Sequence, residues 1–150
     1  MIKGPNKNDV KKLLDAENQK LQLVIFTLLK RIGYEAVNIM RQTKGNDYMD
    51  QTGNLRSSTG FIVAFNGTVK SKSNFSVVKD GTEGAGTGKA LATKIAVDQS
   101  NGNRWCLVLV AGMKYASYVQ NYHGRDVIES ASVHAENEAR NLIGRLSNGN

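Results

Sequence analysis

The sequence predicts an α+β fold: a long N-terminal helix, a central antiparallel β-sheet and a C-terminal amphipathic helix packed on one sheet face. Three observations carry this prediction. Apolar residues step by three and four from Val10 to Ile39, the signature of one helix face. Two β-type apolar runs, 60–65 and 105–111, stand in the middle of the chain, the first ending on Asn66-Gly67. Helical spacing then returns at Val127, Ile128, Ala131, Ala135, Ala139, Leu142, Ile143 and Leu146.

The first helix is expected over 8–41. Its stripe reads Val10, Leu13, Leu14, Glu17, Leu21, Val24, Ile25, Leu28, Ile32, Ala36 and Ile39, with Glu17 the only interruption. Asn8 or Asp9 is expected as the cap, after Pro5 and a polar leader, because a short side-chain oxygen satisfies the first free amides. At 1.5 Å per residue such a helix is about 50 Å long. A compact domain of this size is only about 40 Å across. Either the helix bends near Gly33, or one end leaves its own domain and needs a partner to cover it.

The sheet is expected within 59–111. Asn66-Gly67 between two apolar or alternating runs is a strong hairpin signal, since both residues tolerate positive φ. The segment 68–71 would return antiparallel, and 75–78 would extend the sheet. The continuous apolar run 105–111 predicts a central strand. Between them, 79–104 is rich in Gly, Thr, Asn, Ser and charge and is expected to be a long Gly-rich hairpin loop, with at most a short strand at 91–97. A helix over 125–146 closes the chain.

Bulk properties narrow the function. The 150 residues fit one domain, 1–150. The formal net charge is +7, with no run of Lys or Arg longer than two, so a concentrated nucleic-acid footprint is not expected. The longest apolar-rich run, 21–29, is broken by Gln22 and Thr27, well short of the roughly 20 apolar residues that span a bilayer. No apolar signal-peptide core directly follows the basic N-terminus. Cys106 is the only cysteine, so an internal disulfide is excluded, and a buried, unreactive thiol is expected.

Catalytic motifs fail on inspection. Gly84-Ala85-Gly86-Thr87-Gly88-Lys89 suggests a phosphate loop, but Glu83 stands where the first glycine belongs and Ala90 where a hydroxyl should hold magnesium. His123 and His134 are the only imidazoles, and no spacing assembles three metal ligands. His123 with Asp126 and a serine could be drawn as a triad, but no motif places them on an exposed elbow. Tyr115, Tyr118 and Tyr122 are different: three tyrosines close to Met113 suit either an interface or a lid over the core.

Two segments carry a family resemblance. One is Tyr48-Met49-Asp50-Gln51-Thr52-Gly53-Asn54-Leu55-Arg56-Ser57-Ser58, entering the strand at 60–65. The other is Val110-Ala111-Gly112-Met113-Lys114-Tyr115-Ala116-Ser117-Tyr118-Val119-Gln120, followed by Gly124-Arg125-Asp126-Val127-Ile128. Together they resemble the neck and tail-completion (head–tail joining) proteins of tailed double-stranded DNA bacteriophages, with their T-G-x-L-R-x-S turn and Y-A-x-Y-V-E/Q element.

The resemblance implies a structural virion protein, assembled in the host cytoplasm as a homo-oligomeric ring at the head–tail junction. Neck, tail-terminator and head-associated stations all fit. It implies no catalytic residue and no cofactor. The expected partners are copies of itself, the neighbouring head-connector and tail proteins, and passing double-stranded DNA at most weakly. Leu21, Ile25, Leu28, Tyr115, Tyr118 and Tyr122 become expected subunit contacts. Arg56, Lys70, Lys72 and Lys89 become expected channel or interface charges. The rivals are a basic nucleic-acid-binding protein and a small hydrolase around His123.

Overall fold

The computed structural model describes residues 4, 6–42, 57–75, 82–111 and 128–148. The order of elements is helix, two strands, helix, strand, helix.

Helix α1 spans Lys7–Gln42, about 54 Å at the helical rise. Asn6, not Asn8 or Asp9, caps it: its Oδ1 accepts from the Asp9 amide at 2.9 Å. The helix runs unbroken through Gly33, so of the two expected outcomes it is the projecting end that occurs. Every residue from 7 to 21 is exposed, an arm of about 22 Å. The other half enters the core with Ile32, Ala36, Val37 and Met40. Gly33 serves close approach rather than bending. A Cβ there would lie 2.6 Å from the Phe61 ring.

The sheet has the order β2-β1-β3, from β1 (Thr59–Phe65), β2 (Thr68–Lys72) and β3 (Trp105–Ala111), all antiparallel. Asn66 (φ 50°) and Gly67 (φ 74°) make the expected two-residue turn, both in the left-handed region that a type I′ hairpin requires. Val63 pairs with Ser71 and Ala64 with Val69, which leaves Lys70 as the extra residue of a bulge. The central place expected for β3 belongs to β1; among the described strands β3 lies at an edge. The expected strand at 75–78 begins on Phe75, which lies outside β2 with its ring against Gly60; residues 76–78 fall outside the described segments.

The expected loop over 79–104 is the largest correction. Residues Thr82–Ser100 form helix α2, and the short strand at 91–97 is part of it. The buried positions are Gly84, Gly88, Ala92, Ala96 and Ser100, one small residue every fourth position. Such a row lets a helix lie very close to its neighbour, because no side chain holds the backbones apart. The glycines here provide proximity, not mobility. α2 covers the sheet face of Ile62, Ala64, Val108 and Val110, so the sheet carries helices on both faces rather than on the one face expected.

The opposite face carries Phe61 and Val63, packed against α1 and against Ala131 and Ala135 of α3 (Glu129–Ser147). Layers on both sides explain why β1 is buried from Thr59 to Ala64 and reads as a continuous apolar run. Residues 125–127 of the expected C-terminal helix lie outside the described segments. An ion network fastens α3 to α1: His134 Nε2 lies 3.0 Å from Glu35, and Arg31 lies 3.6 Å from Glu35 and 3.5 Å from Glu138.

Arg41 ties the end of α1 to the sheet. Its guanidinium donates to Thr59 Oγ1 (3.1 Å), Thr59 O (3.0 Å) and Asn74 O (3.2 Å), and partial burial lowers its pKa from the ordinary value. Arg41→Ala is expected to destabilise the fold by about 2 kcal/mol, because the hydroxyl and carbonyl of buried Thr59 lose a charged donor. Arg41→Lys should recover less than half, since an ammonium cannot reproduce the fork. Urea midpoints of the three proteins check both statements.

Candidate assembly surface

The arm of α1 carries apolar side chains that its own domain does not cover. Val10 is 41%, Leu14 63%, Leu21 45% and Val24 44% exposed. Single exposed leucines are ordinary; a row along one helix face is not. The expected contact residues divide here. Leu21 stands on the free arm, whereas Ile25 and Leu28 are half-buried at its root. The root is built from rings. Phe26 lies 6.1 Å from Trp105, and Trp105 lies 4.7 Å from Phe65, which fixes the direction in which the arm leaves the sheet. The Trp105 indole N–H is buried with no hydrogen-bond partner among the described residues.

Lys70, Lys72 and Lys89 are all exposed. The structure brings two of them together: Lys72 of β2 and Lys89 of α2 line a groove of about 260 Å³, with Ser73, Asn74 and Phe75 between them. Lys70, on the bulge, is not part of that lining. A second groove of about 460 Å³ is apolar, bounded by Leu29, Leu107, Leu109, Ile128 and Ala135 with Glu136 at its wall. The remaining expected site residues, Arg56, Tyr115, Tyr118 and Tyr122, lie outside the described segments, as do His123 and Asp126.

The geometry also bears on the chemical readings. Residues 84–89 lie in the first turns of α2, so their backbone is helical rather than looped around a vacant cradle. Among the described residues no group of three or more His, Cys, Asp or Glu could hold a metal ion. His134 is held in the ion network described above. Burial raises the Cys106 pKa, which disfavours the reactive thiolate. No helix among the described residues is long and apolar enough to cross a membrane.

Sequence reasoning missed the Lys72–Lys89 groove, because the residues flanking Lys89 were read as loop. A stripe of small residues at 84, 88, 92, 96 and 100 was the signal that could have revealed it. Comparison with models of known families, with curated proteins and with solved structures returns no match to this chain.

Proposed function

We propose that this chain is a structural subunit of a tailed-bacteriophage virion, assembled as a homo-oligomeric ring at the head–tail junction. The observation that carries the reading is the α1 arm: an apolar helix face outside its own domain, rigidly rooted and in need of a partner. The two motif segments around Thr52–Ser58 and Tyr115–Gln120 supply the virion context through the resemblance they carry. In this reading Leu21, Ile25 and Leu28 contact the neighbouring subunit together with Tyr115 and Tyr118. Lys70, Lys72 and Lys89 face the channel or the next ring, and double-stranded DNA passes with little affinity.

Native mass spectrometry of the protein and image averaging of purified virions test it. Copies related by rotation within the particle are expected; a protein absent from virions ends the proposal. Tyr115→Ala or Tyr118→Ala should weaken assembly by about 2 kcal/mol or more while leaving the melting temperature of the isolated subunit unchanged, as aromatic interface anchors do. A loss of subunit stability instead would make these rings core lids.

The Lys72–Lys89 groove favours a second reading, a nucleic-acid-binding protein. Two lysines neutralise about two phosphates, for a salt slope of about −2 in log K against log salt. Binding with that slope, lost on Lys72→Ala or Lys89→Ala, would favour that class over the ring.

A further inference from the structure

We infer that free copies of this chain pair through their α1 arms, antiparallel, about a two-fold axis between residues 17 and 21. The spacing within the arm identifies the kind of partner. Val10, Leu14, Glu17, Leu21, Val24 and Leu28 alternate steps of four and three, the 3.5-residue period that seats one helix on another, knob into hole. Val10, Leu14, Leu21 and Val24 are each more than two-fifths exposed. A flat surface or an extended strand would not use that period; a second helix does.

The seam also specifies which helix. Turned end for end, it matches itself: Val10 meets Leu28 of the second copy, Leu14 meets Val24, and Glu17 meets Leu21. Glu17 decides the direction. Its carboxylate lies 3.3 Å from Lys20 of its own helix. In the antiparallel pair it faces the other copy's Leu21, next to that copy's Lys20, so each carboxylate is flanked by two ammonium groups. A parallel pair would place two Glu17 carboxylates in one layer, where like charges repel with little water between them. A polar residue at a seam position is a known means of setting orientation at some loss of stability.

The symmetry has a consequence for assembly. An antiparallel pair is isologous and closed, whereas a ring grows through head-to-tail contacts. Leu21 and Leu28 cannot serve both at once, so paired copies are held out of the ring until their arms separate. The pair itself rests on the arm alone and does not depend on the virion reading.

Cross-linking tests the inference. In a Cys106→Ala background, proteins carrying Leu14→Cys and Val24→Cys are oxidised each alone and, in a third sample, after mixing in the reduced state; both positions are exposed, so folding is unaffected. The antiparallel pair gives a disulfide-linked heterodimer in the mixture and none in either protein alone. Homodimers from each protein alone would show a parallel pair and overturn the inference. So would an absence of any cross-link together with a monomeric mass by sedimentation at about 100 μM. Higher rings without the heterodimer would overturn the pair while leaving the ring proposal standing. Leu14→Lys should weaken pairing about tenfold or more by placing a charge in the seam, and Glu17→Leu should strengthen it.

Discussion

Phe61→Ala is expected to destabilise the protein by about 4 kcal/mol, a large share of the stability of a domain this size. The ring is fully buried and lies directly on the α1 backbone at Gly33. It meets Tyr34 edge-on, with centroids 4.9 Å apart at 80°. Truncation leaves a void bounded by α1 and the central strand, and the strand cannot collapse into it without disturbing the core on both sides of the sheet. The same geometry predicts a coupling. Gly33→Ala alone should destabilise, because its methyl meets the ring; in the Phe61→Ala background it should become neutral or favourable. Urea midpoints at constant m-value measure the four corners of this cycle. Equal effects of Gly33→Ala in both backgrounds would show that the ring does not rest on that glycine.

Two neighbouring glycines of α2 should respond in opposite directions. Gly88→Ala places a methyl against the Ser58 carbonyl, a backbone group that cannot rotate aside, so the helix must lift from the sheet. A destabilisation on the order of 3 kcal/mol is expected, at the upper end for overpacking. Gly86 is exposed, and a Cβ there meets no atom within 4 Å. Gly86→Ala should therefore stabilise by about 0.5–1 kcal/mol, the ordinary gain in a helix. The contrast separates α2 from the mobile loop that its composition suggests. In a loop, both substitutions would have small effects, and the chemical denaturation curves would nearly coincide.

Much of the fold was legible in local chemistry. The apolar stripe, the Asn-Gly turn and the two β runs each report a short-range preference, and the elements formed from them follow the expected bounds closely. Length alone narrowed α1 to a bend near Gly33 or a projecting end, since a helix of that stripe exceeds the domain that carries it; the unbroken helix decides for the projecting end. The misreading of 79–104 has a physical cause. Glycine lowers intrinsic helix propensity, but α2 is held by packing, and Gly88 is required by the Ser58 carbonyl beneath it. That requirement lies far away in sequence. The place of β3 at an edge of the described strands is likewise set by the fold as a whole rather than by its own residues. As for the candidate surface, the arm residues were visible as a stripe, whereas the meeting of Lys72 with Lys89 depends on how α2 crosses β2.

The row of small residues on α2 leaves a question that the row itself cannot answer. A helix presenting an equivalent small residue every fourth position fits its track almost equally well after sliding by about 6 Å. The turns at its far end remove that ambiguity. The Gly67 amide donates to Ser100 Oγ at 3.0 Å, the Asn103 amide donates to Asn66 Oδ1 at 3.3 Å, and the Asn66 amide donates to the Arg104 carbonyl at 3.3 Å. These bonds act as a stop against which the helix is indexed, much as a latch fixes a sliding bolt. Changes in the Asn66-Gly67 hairpin would therefore be transmitted to Gly84, at the opposite end of α2, as a loss of alignment rather than as a loss of helix.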